Sequence, residues 1–590
     1  MVVPMYLPSM SIDSVLRAPR RLIAEVASLP RWSRIVAAVL LVVAATLVFP
    51  RGGPVASGAA VLCAAGVIAI AWLVAGPADR RWVVLWTLLA ITAREVLVGV
   101  VDVALLSRGA LWYAPDEHVY IEHAYAIWQH WLDPQAPYVS DPYSTSWYIH
   151  GIARLYFLLG AENLVIVKLI NTSLAVIACL LGYRVMRNLG MPGARWALVL
   201  LLAFPSVAFW SALTLKDAYV IFFLIGSLWA ASEFIRRHSP LWLALALLAL
   251  EPLETVRLYM LVTGALALLA VPFALARWRE RLLTGGALVV AVYVLFAIVQ
   301  PFRDLGPNFF YIPIALRGAV AQGARSSFVE PKPVFDGQPG QRFQVAVVSG
   351  ATPAPGVTPQ VIEVQPGAAI VFESSTPTVT AAPGQPTPAV VRPGDIIVIG
   401  TAQPRPGATR SPATPTPAVE TATPTPQVII IEPAARNTVG LSTDVDPDQS
   451  TFQGSLATNV RHLPVGITYT LLAPFPWTAR SLEQFATIPE LLIWYVCLAL
   501  AAVGFSVLLR RRDLRYAHGV AAIIGLVIVL SLISANTGTL IRSRAMLIPY
   551  VLLLSGVGID WLLRRSAGLG GRWRRQPTGE GAAAPGQSPS

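Results

Sequence analysis

Two neighbouring carboxylates in the first quarter of the chain are of the right type and position for general base catalysis. Asp116 and Glu117 follow a long apolar run and open a segment rich in aromatic residues. A carboxylate at a membrane surface accepts a proton from a hydroxyl group or binds a metal ion. The alternative interpretation is a solvated loop without chemistry. His118 and Glu122, one helical turn apart, are candidate metal ligands, although no second ligand pair has the usual spacing.

Basic residues beside two later apolar runs are candidates for binding an anion. Lys216 is one of only three lysines in the chain and adjoins Asp217. It is interpreted either as a phosphate contact or as part of a local ion pair. Arg257 begins another apolar run, where an arginine is costly unless it is paired or binds an anion. Glu254, one turn earlier, is its expected structural partner.

Two arginines precede the last apolar run. Arg542 and Arg544 interrupt the sparse basic content of the neighbouring loops. The planar fork of arginine suits phosphate oxygens, and the alternative is contact with lipid headgroups. All these segments are predicted to reach one face of the membrane, which favours a site for a lipid-anchored phosphate substrate.

Composition identifies the solvent of the chain as lipid. Its 590 residues are 55% hydrophobic and 13% charged, with a mean hydropathy of +0.61. A soluble domain would carry about 25% charged residues. The net charge of +12 is compatible with nucleic acid binding, but the arginines form short runs between apolar segments, a pattern typical of membrane topology signals. The three cysteines lie in apolar runs and show neither a disulfide framework nor metal spacing.

The apolar runs predict an all-α polytopic membrane protein with about twelve transmembrane helices. The runs cover residues 34–50, 55–76, 81–106, 163–183, 194–212, 218–235, 241–256, 258–276, 283–301, 486–509, 516–534 and 545–563. With a cytoplasmic N-terminus, every arginine-rich connection falls inside, as the positive-inside rule requires. We therefore expect both termini in the cytoplasm and the candidate residues outside the plasma membrane.

The same pattern divides the chain into five regions. These are a basic cytoplasmic leader (1–33), a transmembrane catalytic module (34–301) with an external loop (107–162), a long external loop (302–485), C-terminal transmembrane helices (486–563) and a disordered cytoplasmic tail (564–590). Within the long loop, residues 330–436 are rich in Pro and Thr and of low complexity, which predicts disorder or a small β element.

Together these residues resemble the GT-C superfamily of integral-membrane glycosyltransferases, which includes protein O-mannosyltransferases and aminoarabinose transferases. The resemblance rests on the acidic pair Asp116-Glu117, residues 146–160, the corner from Phe204 to Asp217, Arg257, and residues 538–549. It differs in two respects: the acidic loop follows the third predicted span rather than the first, and the Pro/Thr-rich insert replaces a compact soluble domain.

The resemblance implies transfer of a sugar from a polyprenyl-phosphate donor to a glycan, lipid or protein acceptor. Asp116 is then the first choice for the general base and Glu117 the alternative. Lys216, Arg257, Arg542 and Arg544 would offset the charge of the leaving phosphate. No cofactor is required, although a divalent metal remains open. Membrane lipids are the other expected partners, and nucleic acid is not.

Two other functions share parts of this pattern. An O-antigen-type polymerase or ligase would also use external arginines, but it depends less on an early carboxylate. A transporter or flippase for a lipid-linked glycan would place charges within the membrane, and Arg94, Glu95 and Asp102 are its candidates. No internal repeat supports the transporter.

Overall fold

A computed structural model describes residues 21–107, 113–136, 147–298, 343–344, 363–364, 456–478, 482–533 and 537–568. The chain forms two compact units. Met1–Phe328 and Thr438–Ser590 make up the first, and Val329–Asn437 make up the second.

The described part of the first unit is helical, and the second unit interrupts its helices in sequence. Before the interruption come α1 (Arg31–Val74), α2 (Arg80–Ser107), α3 (Pro115–Leu132), α4 (Trp147–Leu159), α5 (Leu164–Asn188), α6 (Ala194–Ala203), α7 (Pro205–Ser211), α8 (Asp217–Arg237), α9 (Pro240–Leu248), α10 (Leu253–Leu268) and α11 (Trp278–Ile298). After it come α12 (Leu456–Leu472), α13 (Leu482–Arg510), α14 (Ala517–Ile533), α15 (Thr537–Arg544) and α16 (Ile548–Ser566).

Several of these helices are long and apolar enough to cross a membrane, so the protein is an integral membrane protein. Among the described residues six helical segments meet this standard: Arg31–Val74, Arg80–Ser107, Leu164–Asn188, Asp217–Arg237, Leu253–Ala274 and Thr487–Arg510. The pair α6 and α7, bent by 51°, makes a seventh if it is one span. The described residues thus contain six or seven candidate spans, fewer than the twelve predicted.

Two features of the chain account for part of the difference from twelve. The runs 34–50 and 55–76, predicted as two spans, are the two arms of α1 on either side of a break at Gly53, so they count as one segment. The run 241–256, also predicted as a span, contains only the nine-residue helix α9 before the chain turns at Glu251-Pro252. Nine residues of helix extend only about 14 Å, which is less than half of the hydrocarbon thickness.

Helix α1 folds back on itself at Gly53. This glycine has φ 65° and ψ −166°, a conformation that a side chain would oppose. Ser57 Oγ donates to the carbonyl oxygen of Ala45, 12 residues earlier, at 2.8 Å. In a straight helix those residues would be about 18 Å apart. The two arms of α1 therefore lie side by side.

Small residues let the C-terminal helices approach closely. Helix α13 packs along α16. A Cβ added at Gly504 would lie 2.1 Å from the carbonyl oxygen of Leu554, and one at Gly558 would lie 2.1 Å from that of Leu500. Backbone-to-backbone contact of this kind is typical of helix packing in membranes.

One end of the bundle is held by ion pairs between arginine-rich connections. Asp79, between α1 and α2, accepts hydrogen bonds from Arg195 at 2.6 Å and from Tyr183 at 2.7 Å. Glu233, near the end of α8, pairs with Arg236 at 2.6 Å and Arg237 at 2.8 Å. Arginine runs that the sequence assigns to one side of the membrane thus meet acidic partners, Asp79 in a neighbouring connection and Glu233 on the same helix.

In the second unit, two short strands are described. Strand β1 (Phe343–Gln344) pairs antiparallel with β2 (Glu363–Val364), with Phe343 opposite Val364. Most of the Pro/Thr-rich stretch 330–436 lies outside the described residues. The same holds for residues 1–20 of the leader and for residues 569–590 of the tail.

Candidate active site

Four chain segments that are distant in sequence converge to form the candidate site. They are the start of α3, the corner between α7 and α8, the kink in α10, and α15. Local sequence produces each of them. Pro115 begins α3, because a proline at the first helical position loses no hydrogen bond. In α10, Arg257 leaves helical geometry with φ −157° and ψ 83°. This break separates its side chain from the regular face of the helix.

Asp217 is the residue that connects two of the arginines. Its side chain is completely buried at the first turn of α8. Oδ1 accepts a hydrogen bond from Arg257 Nη2 at 2.8 Å, and Oδ2 accepts one from Arg542 Nε at 2.6 Å. The two guanidinium groups are also well buried, with 9% and 11% of the side chains exposed. The expected pairing of Arg257 with Glu254 is therefore replaced by a long-range one with Asp217.

Asp116 reaches the same group from the start of α3. Its Oδ2 accepts a hydrogen bond from Arg542 Nη1 at 2.5 Å. Its side chain is 47% exposed, in contrast to the buried Asp217. Arg542 thus bridges an accessible carboxylate and a buried one.

Lys216 lies beside the arginines without a carboxylate in ion-pair range among the described residues. Its Nζ is 5.3 Å from the centre of the Tyr120 ring, a cation–π contact. Burial, together with the positive charges of Arg257 and Arg542, lowers the pKa of Lys216 to about 7. The site therefore contains an amine that changes charge near neutral pH.

The arginines keep unused hydrogen-bonding capacity. Within the described chain, Arg257 Nε and Arg542 Nη2 are buried and have no hydrogen-bond partner. Unpaired buried donors are costly, especially on charged groups. When all five groups are charged, Lys216 and the two arginines exceed Asp116 and Asp217 by one positive charge. Geometry and charge both favour an anionic ligand here.

Glu117 has a different environment from its neighbour. Its carboxylate is fully buried and accepts hydrogen bonds from three backbone amides, those of Tyr113 (2.7 Å), Ala114 (3.0 Å) and Thr214 (2.6 Å). Both oxygens are occupied by the protein. Of the acidic pair, only Asp116 is open to a substrate.

Arg544, the second arginine of α15, contacts a separate set of residues. Its Nη1 donates to the carbonyl oxygen of Ala473 at 2.6 Å, and its guanidinium lies over the Trp494 ring at 5.4 Å. Burial lowers its pKa to about 10. These contacts attach α15 to α13 and to the end of α12, and no contact with Asp217 accompanies them in the described structure.

The candidate metal ligands lie on the exposed side of α3. His118 Nε2 is 2.6 Å from Glu122 Oε1, and the two side chains are 38% and 60% exposed. No group of three His, Cys, Asp or Glu residues suited to a metal ion occurs in the part of the chain that the structure describes. The pair is accounted for as an i,i+4 interaction on a helix surface.

Two aromatic residues of the site were not singled out as site residues by the sequence. Tyr120 lies under Lys216, and the Tyr259 hydroxyl oxygen accepts a hydrogen bond from Arg257 Nη1 at 2.8 Å. Tyr120 follows Asp116 by four residues on α3, so helical spacing from the carboxylate was the available signal. For Tyr259, the kink at Arg257 removed any regular spacing.

A comparison with known proteins finds no matching family, no matching curated protein and no matching solved structure.

Proposed function

We propose that this protein is a membrane glycosyltransferase that moves a sugar from a polyprenyl-phosphate donor to an acceptor on the outer face of the membrane. One observation carries the proposal: two buried arginines with unused donors lie beside a half-exposed carboxylate. Arg257 and Arg542 supply the donors, and Asp116 supplies the carboxylate. Transfer from a phosphate leaving group needs an anion site next to a general base.

The donor phosphate is assigned to the arginine pair. Arg257 Nε and Arg542 Nη2 would each donate to a phosphate oxygen, which would satisfy both buried groups. Lys216 adds a third positive charge on the same side. Asp217 contacts no substrate in this assignment. It holds the two guanidinium groups at fixed positions, so the charge that develops on the phosphate meets preorganised donors.

Asp116 is assigned as the base. Its Oδ2 is engaged by Arg542, while Oδ1 faces no hydrogen-bond partner within the described structure. The acceptor hydroxyl oxygen attacks the anomeric carbon, and its proton passes to Asp116. The bond between the anomeric carbon and the phosphate oxygen breaks. The polyprenyl phosphate leaves with the electron pair, and the arginines stabilise its charge.

A transporter of lipid-linked glycans is the second candidate, and a specific observation favours it. Glu95 is fully buried in α2, and neither of its carboxylate oxygens has a hydrogen-bond partner in the described chain. Ionisable groups inside a membrane often mark transport pathways. Arg94 donates to the Leu202 carbonyl at 3.0 Å, and Asp102 accepts from Lys168 at 2.7 Å. Arg94 Nε, Arg94 Nη1 and Asp102 Oδ2 have no partner within the described chain. The glycosyltransferase has more support because its unused donors lie beside an accessible carboxylate, Asp116, whereas Arg94 and Glu95 are almost completely buried.

The proposed topology has twelve crossings and both termini in the cytoplasm. One crossing is made by the short helix α9 together with the turn at Glu251-Pro252 that follows it. The two arms of α1 share 44 residues, so each is long enough to cross. The arginines paired with Asp79 and Glu233 would then face the cytoplasm, and Asp116 would face outside. Cysteine labelling in intact cells should reach a probe at Gly400 from outside and a probe at Glu580 only after permeabilisation. Labelling of both from one side contradicts this topology.

The function is tested with purified protein and synthetic donors. Short-chain polyprenyl phosphates carrying radiolabelled mannose, glucose, arabinose or aminoarabinose are incubated with the protein, and free or transferred sugar is measured. We expect release from at least one donor, and Asp116→Asn should reduce it by about a hundredfold or more. Turnover of only polyprenyl-pyrophosphate oligosaccharides would indicate the polymerase or ligase. Movement of intact donors across proteoliposomes without cleavage would indicate the transporter.

A further inference from the structure

Glu117 links the two segments that carry the candidate base and the candidate anion site. Oε2 accepts from the amides of Tyr113 and Ala114, at 2.7 and 3.0 Å, immediately before α3. Oε1 accepts from the amide of Thr214 at 2.6 Å, 97 residues further along the chain. One carboxylate therefore ties the start of α3 to the corner before α8.

This arrangement exceeds what helix capping requires. A glutamate at the third helical position commonly accepts a hydrogen bond from the N-cap amide, and one oxygen is sufficient for that. Here the second oxygen reaches a separate segment, and the side chain has no exposed surface. Hydrogen bonds to a carboxylate are about twice as strong as neutral ones. The additional bond thus fixes one segment relative to the other.

The residues that Glu117 connects lie next to the candidate base and the candidate anion site. Asp116 directly precedes Glu117, and Lys216 and Asp217 follow Thr214 by two and three residues. Asp116 also contacts Arg542, which is held in turn by Asp217. The position of the half-exposed carboxylate relative to the arginines therefore depends on Glu117.

We propose that Glu117 is a positioning residue that sets the distance between Asp116 and the arginine pair through its bonds to the Thr214 and Ala114 amides. The inference rests on the proposed glycosyltransferase function, because positioning matters for a reaction between a base and a phosphate leaving group. Glu117 itself does not contact substrate, because both carboxylate oxygens accept hydrogen bonds from backbone amides and the side chain is fully buried.

The test is a double-mutant cycle on sugar release. Glu117→Gln places an NH₂ group against a backbone amide and so loses one side of the link. We expect kcat to fall by about tenfold or more, while KM for the donor changes by less than about threefold. A displacement of Asp116 by about 1 Å lowers the rate of the chemical step more than it weakens donor binding. In the Asp116→Asn background the same change should alter the residual rate by less than about twofold, since the residue acts through Asp116.

Asp133→Asn is the matched control, because Asp133 is an exposed carboxylate at the other end of the same helix. It should leave kcat and KM unchanged. A kcat loss in Glu117→Gln that is equally large with and without Asp116 would overturn the inference. If Glu117→Gln does not fold, Glu117→Asp, which is one methylene shorter and cannot reach both segments, replaces it in the cycle.

Hydrogen exchange separates this inference from the proposed function. In the wild-type protein the Thr214 amide should exchange slowly, and in Glu117→Gln or Glu117→Asp it should exchange at least about tenfold faster, as expected for a broken hydrogen bond. Unchanged exchange would overturn the link even if the protein releases sugar. Faster exchange together with no sugar release from any wild-type assay would retain the link and reject the glycosyltransferase.

Discussion

The two ends of helix α8 carry similar charges in different environments. At its first turn, Asp217 binds Arg257 and Arg542, whose side chains are 9% and 11% exposed. At its last turn, Glu233 binds Arg236 and Arg237, which are 36% and 38% exposed. The two carboxylates are 16 residues apart on the helix, or about 24 Å. Each is almost fully buried, so the difference lies in the arginines.

The difference shows at which end the arginine donors have all their hydrogen-bond partners. The arginines at Glu233 retain access to water, which satisfies any donor that the carboxylate does not. At Asp217, the guanidinium groups are enclosed, and Arg257 Nε and Arg542 Nη2 stay without a partner in the described structure. Enclosed and unsatisfied donors are expected where a ligand completes the site. The number of ion pairs alone would not distinguish the two ends.

The largest expected effect separates Asp116, which lies near Asp217, from Asp79, which lies at the end of the bundle that holds Glu233. Asp116→Asn should reduce sugar release by about a hundredfold or more, the scale of losing a general base. Asp116→Glu should also be impaired, because the added methylene moves the oxygen away from the acceptor. Neither change should lower the melting temperature in detergent appreciably, since Asp116 is half exposed. Release and melting are measured on the same preparations.

Asp79→Asn, in the connection between α1 and α2, is the matched comparison. It removes charge from a buried carboxylate that holds Arg195 and Tyr183, so it should lower the melting temperature and preserve kcat. If Asp116→Asn stays active while Glu117→Gln is inactive, and Glu117→Gln loses the same activity with and without Asp116, then Glu117 is the base and the assignment within the acidic pair is reversed.

The second prediction compares one arginine from each end. Arg542→Lys keeps a positive charge, but an ammonium group cannot bridge Asp116, Asp217 and a phosphate in one plane. We expect kcat/KM for the donor to fall by about 10- to 100-fold, as for a loss of charged hydrogen bonds. Arg236→Lys, at the exposed end, should change it by less than about twofold. Equal effects of the two substitutions would contradict the distinction between the ends.

Hydropathy predicted the membrane class and the helical character of the first unit, but not the length of every helix. In the run 34–76, the turn signal at Gly52-Gly53-Pro54 marks the point at which the two arms of α1 fold back on each other. Window length also treats 241–256 as a span, whereas α9 ends after nine residues. Breaks at proline and glycine depend on packing, which periodicity does not report.

For the candidate site, residue type located the segments and packing decided the partners. Lys216, Asp217, Arg257 and Arg542 were selected as charges beside apolar runs, and the structure brings them near Asp116. Nearest neighbours in sequence were poor guides to pairing. Arg257 was expected to pair with Glu254, but it binds Asp217, 40 residues earlier in the chain. Arg544, two residues from Arg542, contacts other elements. The catalytic roles remain proposals that the substitutions test.

The third prediction concerns pH and uses the Lys216 amine. Its pKa of about 7 lies below the ordinary lysine value because of burial and the nearby arginines. Below that pH the amine is protonated and attracts the donor phosphate. Above that pH the amine is neutral and the attraction is lost. We expect kcat/KM for the donor to decrease by about tenfold as pH rises from 6 to 8.5, on the scale of one charged hydrogen bond. The charged or titratable groups that face it are Asp116, Tyr120, Asp217, Arg257 and Arg542.

Lys216→Met isolates this contribution. The variant should show a lower kcat/KM below pH 7 and no decrease through neutrality, while the wild type and the variant converge at high pH. The surface substitution Arg237→Met serves as a control at the other end of α8, and it should leave the pH profile in place. A neutral-pH decrease that persists in Lys216→Met would assign it to another group.

The smallest effect is expected from removing the second unit. It forms a compact unit of its own, and its Pro/Thr-rich composition cannot bury a large apolar core. Replacing residues 330–436 with a short Gly/Ser linker should therefore preserve membrane insertion and the melting temperature in detergent. Removing α12 is the contrasting deletion, because Thr470 bonds Ser531 at 3.0 Å within the first unit, and it should destabilise the protein. Aggregation of the linker variant at the level of the α12 deletion would show that the second unit supports the membrane bundle.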